Sequence, residues 1–153
     1  MDFSFLDDLF VPVVSQAKLA DYTTFRLGGS CRALITCQTP YQLETVVERL
    51  LERQISFLLI GGGSNLLVSD QGIDSVVVRY IASPLIGSCE GYKITVSGSS
   101  LLDALVKFAL EYSLEGLNYA SGIPGTVGGA IVGNAGAFGE QVGGVLELSL
   151  IHI

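Results

Sequence analysis

The sequence predicts an α+β protein made of two small lobes, and three features carry that expectation. The first half sets one strongly patterned amphipathic helix among short apolar runs, and Ser83-Pro84 with Gly87-Ser88 marks a break after them. The second half repeats strand and helix, then enters residues 122–139, a segment too glycine-dense to be ordinary core. At 153 residues with 49% hydrophobic side chains, the chain is long enough to bury a real core. The boundaries expected are an N-terminal arm over 1–22, a first lobe over 23–82 and a second over 83–153.

Residues 1–22 hold a short apolar patch broken by Pro12 and are expected as an arm or short helix. From Cys31 to Cys37, Ala33, Ile35 and Cys37 alternate with Leu34 and Thr36, which predicts a strand buried on both faces. Thr39 and Pro40 open the clearest helix. Threonine caps it, proline takes the first helical position, and Gln42 three residues past the cap completes a capping box. Leu43, Val46, Val47, Leu50 and Leu51 form its buried stripe, and Glu44, Glu48, Arg49, Glu52 and Arg53 its solvent face. Ser56 to Ile60 reads as a short buried strand, and Val76-Val77-Val78 as another. Beyond the break, Tyr92, Ile94 and Val96 alternate with Lys93, Thr95 and Ser97 as a half-buried strand. A second helix starts near Ser100, with Asp103 in its first turn and Leu102, Leu105, Val106 and Ala109 on one face. Residues 145–153 have strand composition.

Two glycine stretches are the candidate binding elements. Gly61-Gly62-Gly63-Ser64-Asn65 directly follows a strand. No Lys-Ser/Thr follows it, its spacing is not that of a dinucleotide fingerprint, and Leu66-Leu67-Val68 before Asp70-Gln71-Gly72 is not the helix both motifs require. What remains is a backbone nest whose N–H groups converge on an anion, with the Ser64 hydroxyl and Asn65 amide as further donors, set against a plain turn. In residues 122–139 a tight turn explains any single glycine. The whole run suggests a surface where backbone meets a large planar ligand.

Composition removes several classes. A net charge of −7 and a pI near 4.5 argue against nucleic acid. Cys31, Cys37 and Cys89 are odd in number without a C-x-x-C pair, and His152 is the single histidine, so there is no metal set and the thiols read as buried or free ones of a reducing compartment. Residues 116–139 are uncharged and long enough to span a bilayer, but Pro124, Asn118, Asn134 and the flanking Glu115 and Glu140 argue against a membrane helix. The N-terminus lacks the basic and apolar regions of a signal peptide, which makes the cytoplasm the expected location.

Three stretches together carry a resemblance: Thr23-Thr24-Phe25-Arg26-Leu27-Gly28-Gly29, then residues 61–70, then Gly122-Ile123-Pro124-Gly125-Thr126-Val127-Gly128-Gly129 leading to Asn134-Ala135-Gly136-Ala137-Phe138-Gly139. From about Tyr22 to Gly144 the chain resembles the N-terminal half of the UDP-N-acetylenolpyruvoylglucosamine reductases, the FAD enzymes also called UDP-N-acetylmuramate dehydrogenases. The resemblance implies the two-lobed FAD-binding fold of the vanillyl-alcohol oxidase and p-cresol methylhydroxylase type, ending before the substrate-binding domain. It places the FAD pyrophosphate on Gly61, Gly62, Gly63, Ser64 and Asn65. The flavin ring goes against Gly122, Ile123, Pro124, Gly125, Thr126, Gly128 and Gly129, with Asn134 and Gly136 completing the cofactor set.

The reaction implied is a hydride relay from NADPH through FAD to the enolpyruvyl group of a UDP-sugar, in peptidoglycan synthesis. The serine, arginine and glutamate that serve it in the family have no counterpart here, so no catalytic residue is assigned. FAD is expected to be held noncovalently, since neither glycine stretch contains His or Cys. Asn118, where the family often has glutamate, Gly133, where it has a larger apolar residue, and Phe138, where it often has tyrosine, depart from the pattern and bear on the substrate side. The alternatives are an FAD-dependent sugar or alcohol oxidase of the same fold, and a non-catalytic fragment that binds FAD. The residues leave the oligomeric state open.

Overall fold

Cys31–Cys37 (β2) is the strand around which the first half is assembled, and its burial on both faces is as expected. The computed structural model describes residues 2–81 and 87–147, and the chain divides into two compact units, Met1–Ala82 and Ser83–Ile153. In the first, β1 (Val13–Ser15) pairs antiparallel with β2. α1 (Pro40–Glu52) then leads to β3 (Phe57–Ile60), and β4 (Ile73–Tyr80) inserts between β2 and β3, parallel to both. The sheet order is therefore β1-β2-β4-β3.

One face of this sheet packs Ile35, Cys37, Val76 and Val78 against Val46 and Leu50 of α1; the other packs Leu34, Val77 and Ile60 against Ala17, Leu19 and Val68. Two covered faces explain why β2 and the centre of β4 read as continuous apolar runs. The strand at Ser56 to Ile60 is a correction: it is an edge strand, with Leu58 and Leu59 exposed and only Ile60 buried, because β4 takes the central place. Cys31 and Cys37 are free thiols inside this core, and burial pushes Cys37 up to about 12, so it behaves as a small packed apolar group.

The capping box of α1 is present. Gln42 N–H donates to Thr39 Oγ1 at 3.1 Å, and Gln42 Oε1 accepts from the N–H groups of Gln38 (2.8 Å) and Thr39 (3.3 Å). Thr39→Ala is expected to lower stability by about 1 kcal/mol, read from urea denaturation, because it leaves a first-turn donor without its acceptor. The buried stripe is narrower than expected, Leu51 being exposed.

The charged side of α1 is more than a solvated face. Arg49 donates to Phe5 O at 2.6 Å and to the Asp8 carboxylate at 2.8 Å, and Gln42 Nε2 donates to Leu9 O at 3.1 Å. These bonds fix a 3-10 turn, Ser4–Leu9, whose Leu6 and Leu9 are only 2% and 6% exposed within the core. Of the segment 1–22, expected as an arm or short helix, Leu6, Leu9, Ala17 and Leu19 thus belong to the first unit's core.

In the second unit β5 (Gly87–Glu90), which periodicity did not reveal, pairs antiparallel with β6 (Lys93–Val96). α2 (Leu102–Glu111) buries Leu102, Leu105, Val106 and Ala109 as its pattern requires, and Asp103 pairs with Lys107 at 2.7 Å. Leu102, Leu105 and Val106 form a core with Tyr119, Ala120, Val127 and Ala130, flanked by Ile94 and Val96. α3 (Val127–Val132) lies inside the glycine-dense segment, where no helix was expected; Thr126 caps it, accepting from Gly129 N–H at 3.3 Å. A short hairpin of β7 (Gly136–Ala137) and β8 (Glu140–Gln141) follows. Of the break and the terminal strand expected from the sequence, residues 82–86 and 148–153 lie outside the described residues, and residues 145–147 form no strand.

Candidate functional site

The first glycine stretch begins where β3 ends, at the carboxyl end of the parallel strands, the place where open α/β sheets bind ligands. Its shape is set by contact with residues 22–24. Gly63 has φ +66°, and a Cβ there would lie 2.2 Å from Tyr22 O, while Thr24 N–H donates to Gly63 O at 3.2 Å. No side chain larger than hydrogen fits between these backbones. The chain from Thr23 to Leu27 turns tightly over them: Arg26 N–H donates to Thr23 O, Thr23 Oγ1 donates to Leu27 O, and Arg26 has φ +53°.

Among the described residues, no backbone carbonyl accepts from the N–H groups of Gly61, Gly62, Gly63, Ser64 or Asn65. Loop N–H groups without a protein acceptor are open to an anion or to solvent, and Ser64 and Asn65 themselves lie in a turn. Beside them is a cavity of about 510 Å³, lined among others by Tyr22, Thr23, Thr24, Arg26, Gly62 and Arg79. Arg79 Nε is buried and has no hydrogen-bond partner among the described residues, and its guanidinium carbon stands 5.3 Å from the centre of the Tyr22 ring. Burial lowers the Arg79 pKa from its ordinary value, yet a guanidinium remains charged in a protein. Arg79 escaped the sequence reading. The available signal was an arginine directly after Val76-Val77-Val78, on a strand otherwise apolar at its centre.

The second stretch belongs to the other unit and is described separately. Gly122 (φ +80°) and Gly125 (φ +123°) carry the turns around Pro124, with Gly122 and Pro124 exposed and Ile123 packed on the core of this unit. Gly125 O accepts from Leu102 N–H at 3.0 Å, and Val127 N–H donates to Ser100 O at 2.8 Å, so the turn is stitched to the start of α2. Thr126 is buried as the cap of α3. Gly128 N–H donates to Gly98 O at 2.8 Å, and a Cβ on Gly128 would stand 3.0 Å from that oxygen; internal packing alone therefore favours glycine there. Gly129 is exposed.

Asn134 bridges within the chain, its Nδ2 donating to Gln141 Oε1 at 2.9 Å and its Oδ1 accepting from Gly143 N–H at 3.0 Å, while Gly136 starts the β7–β8 hairpin. The Ser100 hydroxyl is a second buried group with no partner among the described residues, also missed from sequence. A cavity of about 740 Å³ in this unit is lined by Glu115, Gly116, Asn118, Tyr119, Phe138 and Glu140, and burial raises the Tyr119 phenol above its ordinary value. Two of the family departures, Asn118 and Phe138, meet there, and Phe138 is 96% exposed.

The residues present fit FAD. Unpaired loop amides and an arginine whose buried Nε has no partner among the described residues suit a diphosphate, and the exposed Gly122, Pro124 and Gly129 leave backbone open to a flat ring. Among the described residues no three His, Cys, Asp or Glu side chains gather to hold a metal ion, and no helix is long and apolar enough to cross a membrane.

Comparison with known proteins agrees with this chemistry. Residues 31–152 match the family described as FAD binding domain. The chain is 38% identical over 136 residues to the UDP-N-acetylenolpyruvoylglucosamine reductase of Carboxydothermus hydrogenoformans, covering 89% of this chain and 45% of that protein. It is 40% identical over 126 residues to the enzyme of the same name from Caldanaerobacter subterraneus, covering 82% of this chain and 41% of that protein. The crystal structure of UDP-N-acetylenolpyruvylglucosamine reductase from Thermus caldophilus superposes with a TM-score of 0.66 at 33% identity, covering 86% of this chain and 44% of that one. The chain thus spans somewhat under half the length of the relatives it matches. With the family match extending over both units, a mixed sheet with helices, and a glycine loop whose amides are unspent, the chain belongs to the FAD binding domain family, with an α+β fold of the p-cresol methylhydroxylase type.

Proposed function

We propose that the chain is the FAD-holding part of an NADPH-dependent reductase that converts UDP-N-acetylenolpyruvoylglucosamine to UDP-N-acetylmuramate, a cytoplasmic step of peptidoglycan synthesis and cell wall biogenesis. The observation that carries it is the row of unspent amides at residues 61–65, in a chain whose relatives bear that enzyme's name. Gly61, Gly62, Gly63, Ser64 and Asn65 hold the diphosphate. Gly122, Ile123, Pro124, Gly125, Thr126, Gly128 and Gly129 offer the ring a surface of mostly backbone, which Thr126 stabilises as the cap of α3 and Asn134 and Gly136 support through the following hairpin.

Bound FAD supplies hydride transfer between NADPH and the enolpyruvyl group of the UDP-sugar. These residues bind and orient the cofactor, and they do so noncovalently, since neither stretch offers a thiol or imidazole. The proton donor and the groups that stabilise developing charge belong, by the resemblance, to the relatives' length beyond the matched region. Residues 1–153 tested alone are therefore expected to bind FAD while consuming NADPH no faster with the enolpyruvyl substrate than without it. Substrate-dependent turnover by these residues alone would place the catalytic groups among them. Absence of FAD binding would remove the reading.

A further inference from the structure

Resting on the reading that residues 61–65 receive a diphosphate, we propose that Arg79 is the basic anchor of that diphosphate and makes the first unit select a flavin dinucleotide over a flavin without phosphate. The loop itself supplies only neutral N–H donors. Thr23, Thr24 and Tyr22 add neutral groups to the cavity wall, so its cations are Arg26, which is exposed, and Arg79, which reaches it from β4. The cavity's carboxylate, Asp21, makes no ion pair with Arg79 among the described residues.

A buried guanidinium N–H without an acceptor is costly, and that cost is removed if a ligand oxygen completes it. The planar fork of arginine suits a phosphate group, and the Tyr22 ring 5.3 Å from the guanidinium carbon offers the cation a π face without accepting its Nε–H. Its pairing with Ile60 across the parallel ladder sets Arg79 level with the end of β3, one residue before the loop begins.

The test uses the whole chain, with FAD, riboflavin and inorganic pyrophosphate as probes. Arg79→Gln is expected to raise the FAD Kd roughly 10- to 100-fold, the loss of a charge-assisted hydrogen bond, with Arg79→Lys intermediate. The riboflavin Kd should change less than about twofold, since riboflavin has no phosphate to lose. Arg53→Gln, which removes an arginine packed over Phe5, should leave FAD affinity unchanged. In the ¹⁵N-labelled wild type, the arginine Nε–H resonance that vanishes in Arg79→Lys should shift on addition of pyrophosphate, a readout that does not require Arg79→Gln to fold.

Unchanged FAD affinity in folded Arg79→Gln, equal losses for FAD and riboflavin, or an Nε–H resonance indifferent to pyrophosphate would overturn the anchor while leaving the flavin reading intact. A pyrophosphate shift at Arg79 in a protein that takes no FAD would support the anchor and remove the flavin reading.

Discussion

Gly63→Val is expected to lower FAD affinity at least 100-fold and to destabilise the first unit by roughly 2–4 kcal/mol. The native φ of +66° is closed to a β-branched residue, and its Cβ would stand 2.2 Å from Tyr22 O, so either the loop or the turn at residues 22–27 must move. Moving the loop scatters the donors at residues 61–65; moving the turn dismantles the cavity wall of Tyr22, Thr23 and Thr24. FAD titration of the folded fraction, alongside urea denaturation, separates the two losses. Cys89→Ser, in the β5–β6 hairpin, should change neither, and wild-type affinity in folded Gly63→Val would detach the glycine loop from cofactor binding.

Leu50→Ala should cost about 2–5 kcal/mol without a direct effect on the site. Leu50 is 0% exposed and sits with Val46, Ile35, Val76 and Val78 between α1 and the sheet, where a cavity has little room to collapse. The expected signature is a urea midpoint shifted well below wild type with FAD affinity retained by the folded protein. A loss under about 1 kcal/mol would mean that α1 does not close this core as tightly as the packing indicates.

Much of the first unit was legible because its signals are local. Thr39, Pro40 and Gln42 specify a helix start by hydrogen bonds within four residues, and the alternation through Cys31–Cys37 reports two covered faces of β2. What failed was non-local. Ser56 to Ile60 has the composition of a buried strand, yet only the order of the sheet decides that β4 is central and β3 an edge. The packing of Ser4–Leu9 depends on Gln42 and Arg49 reaching back more than 30 positions, which no periodicity in that turn announces.

α3 was missed because Gly128 and Gly129 are poor helix formers. Its stability comes from the Thr126 cap and from burying Val127 and Ala130 in the second core. At the candidate site the glycine stretches were visible as composition, and the chemistry beside them was not. Arg79 reads in sequence as one more charged residue near a strand end, and only the fold gives it a buried Nε that, like the loop amides, has no partner among the described residues.

The measurement that reaches the centre of this reading is titration of the flavin-free chain with FAD, followed by acid precipitation of the saturated complex. Saturable one-to-one quenching of flavin fluorescence, competed by pyrophosphate, with all of the yellow chromophore released into the acid supernatant, is the predicted result. Quenching that never saturates, or colour that stays with the precipitated protein, would contradict a noncovalent FAD site built on residues 61–65.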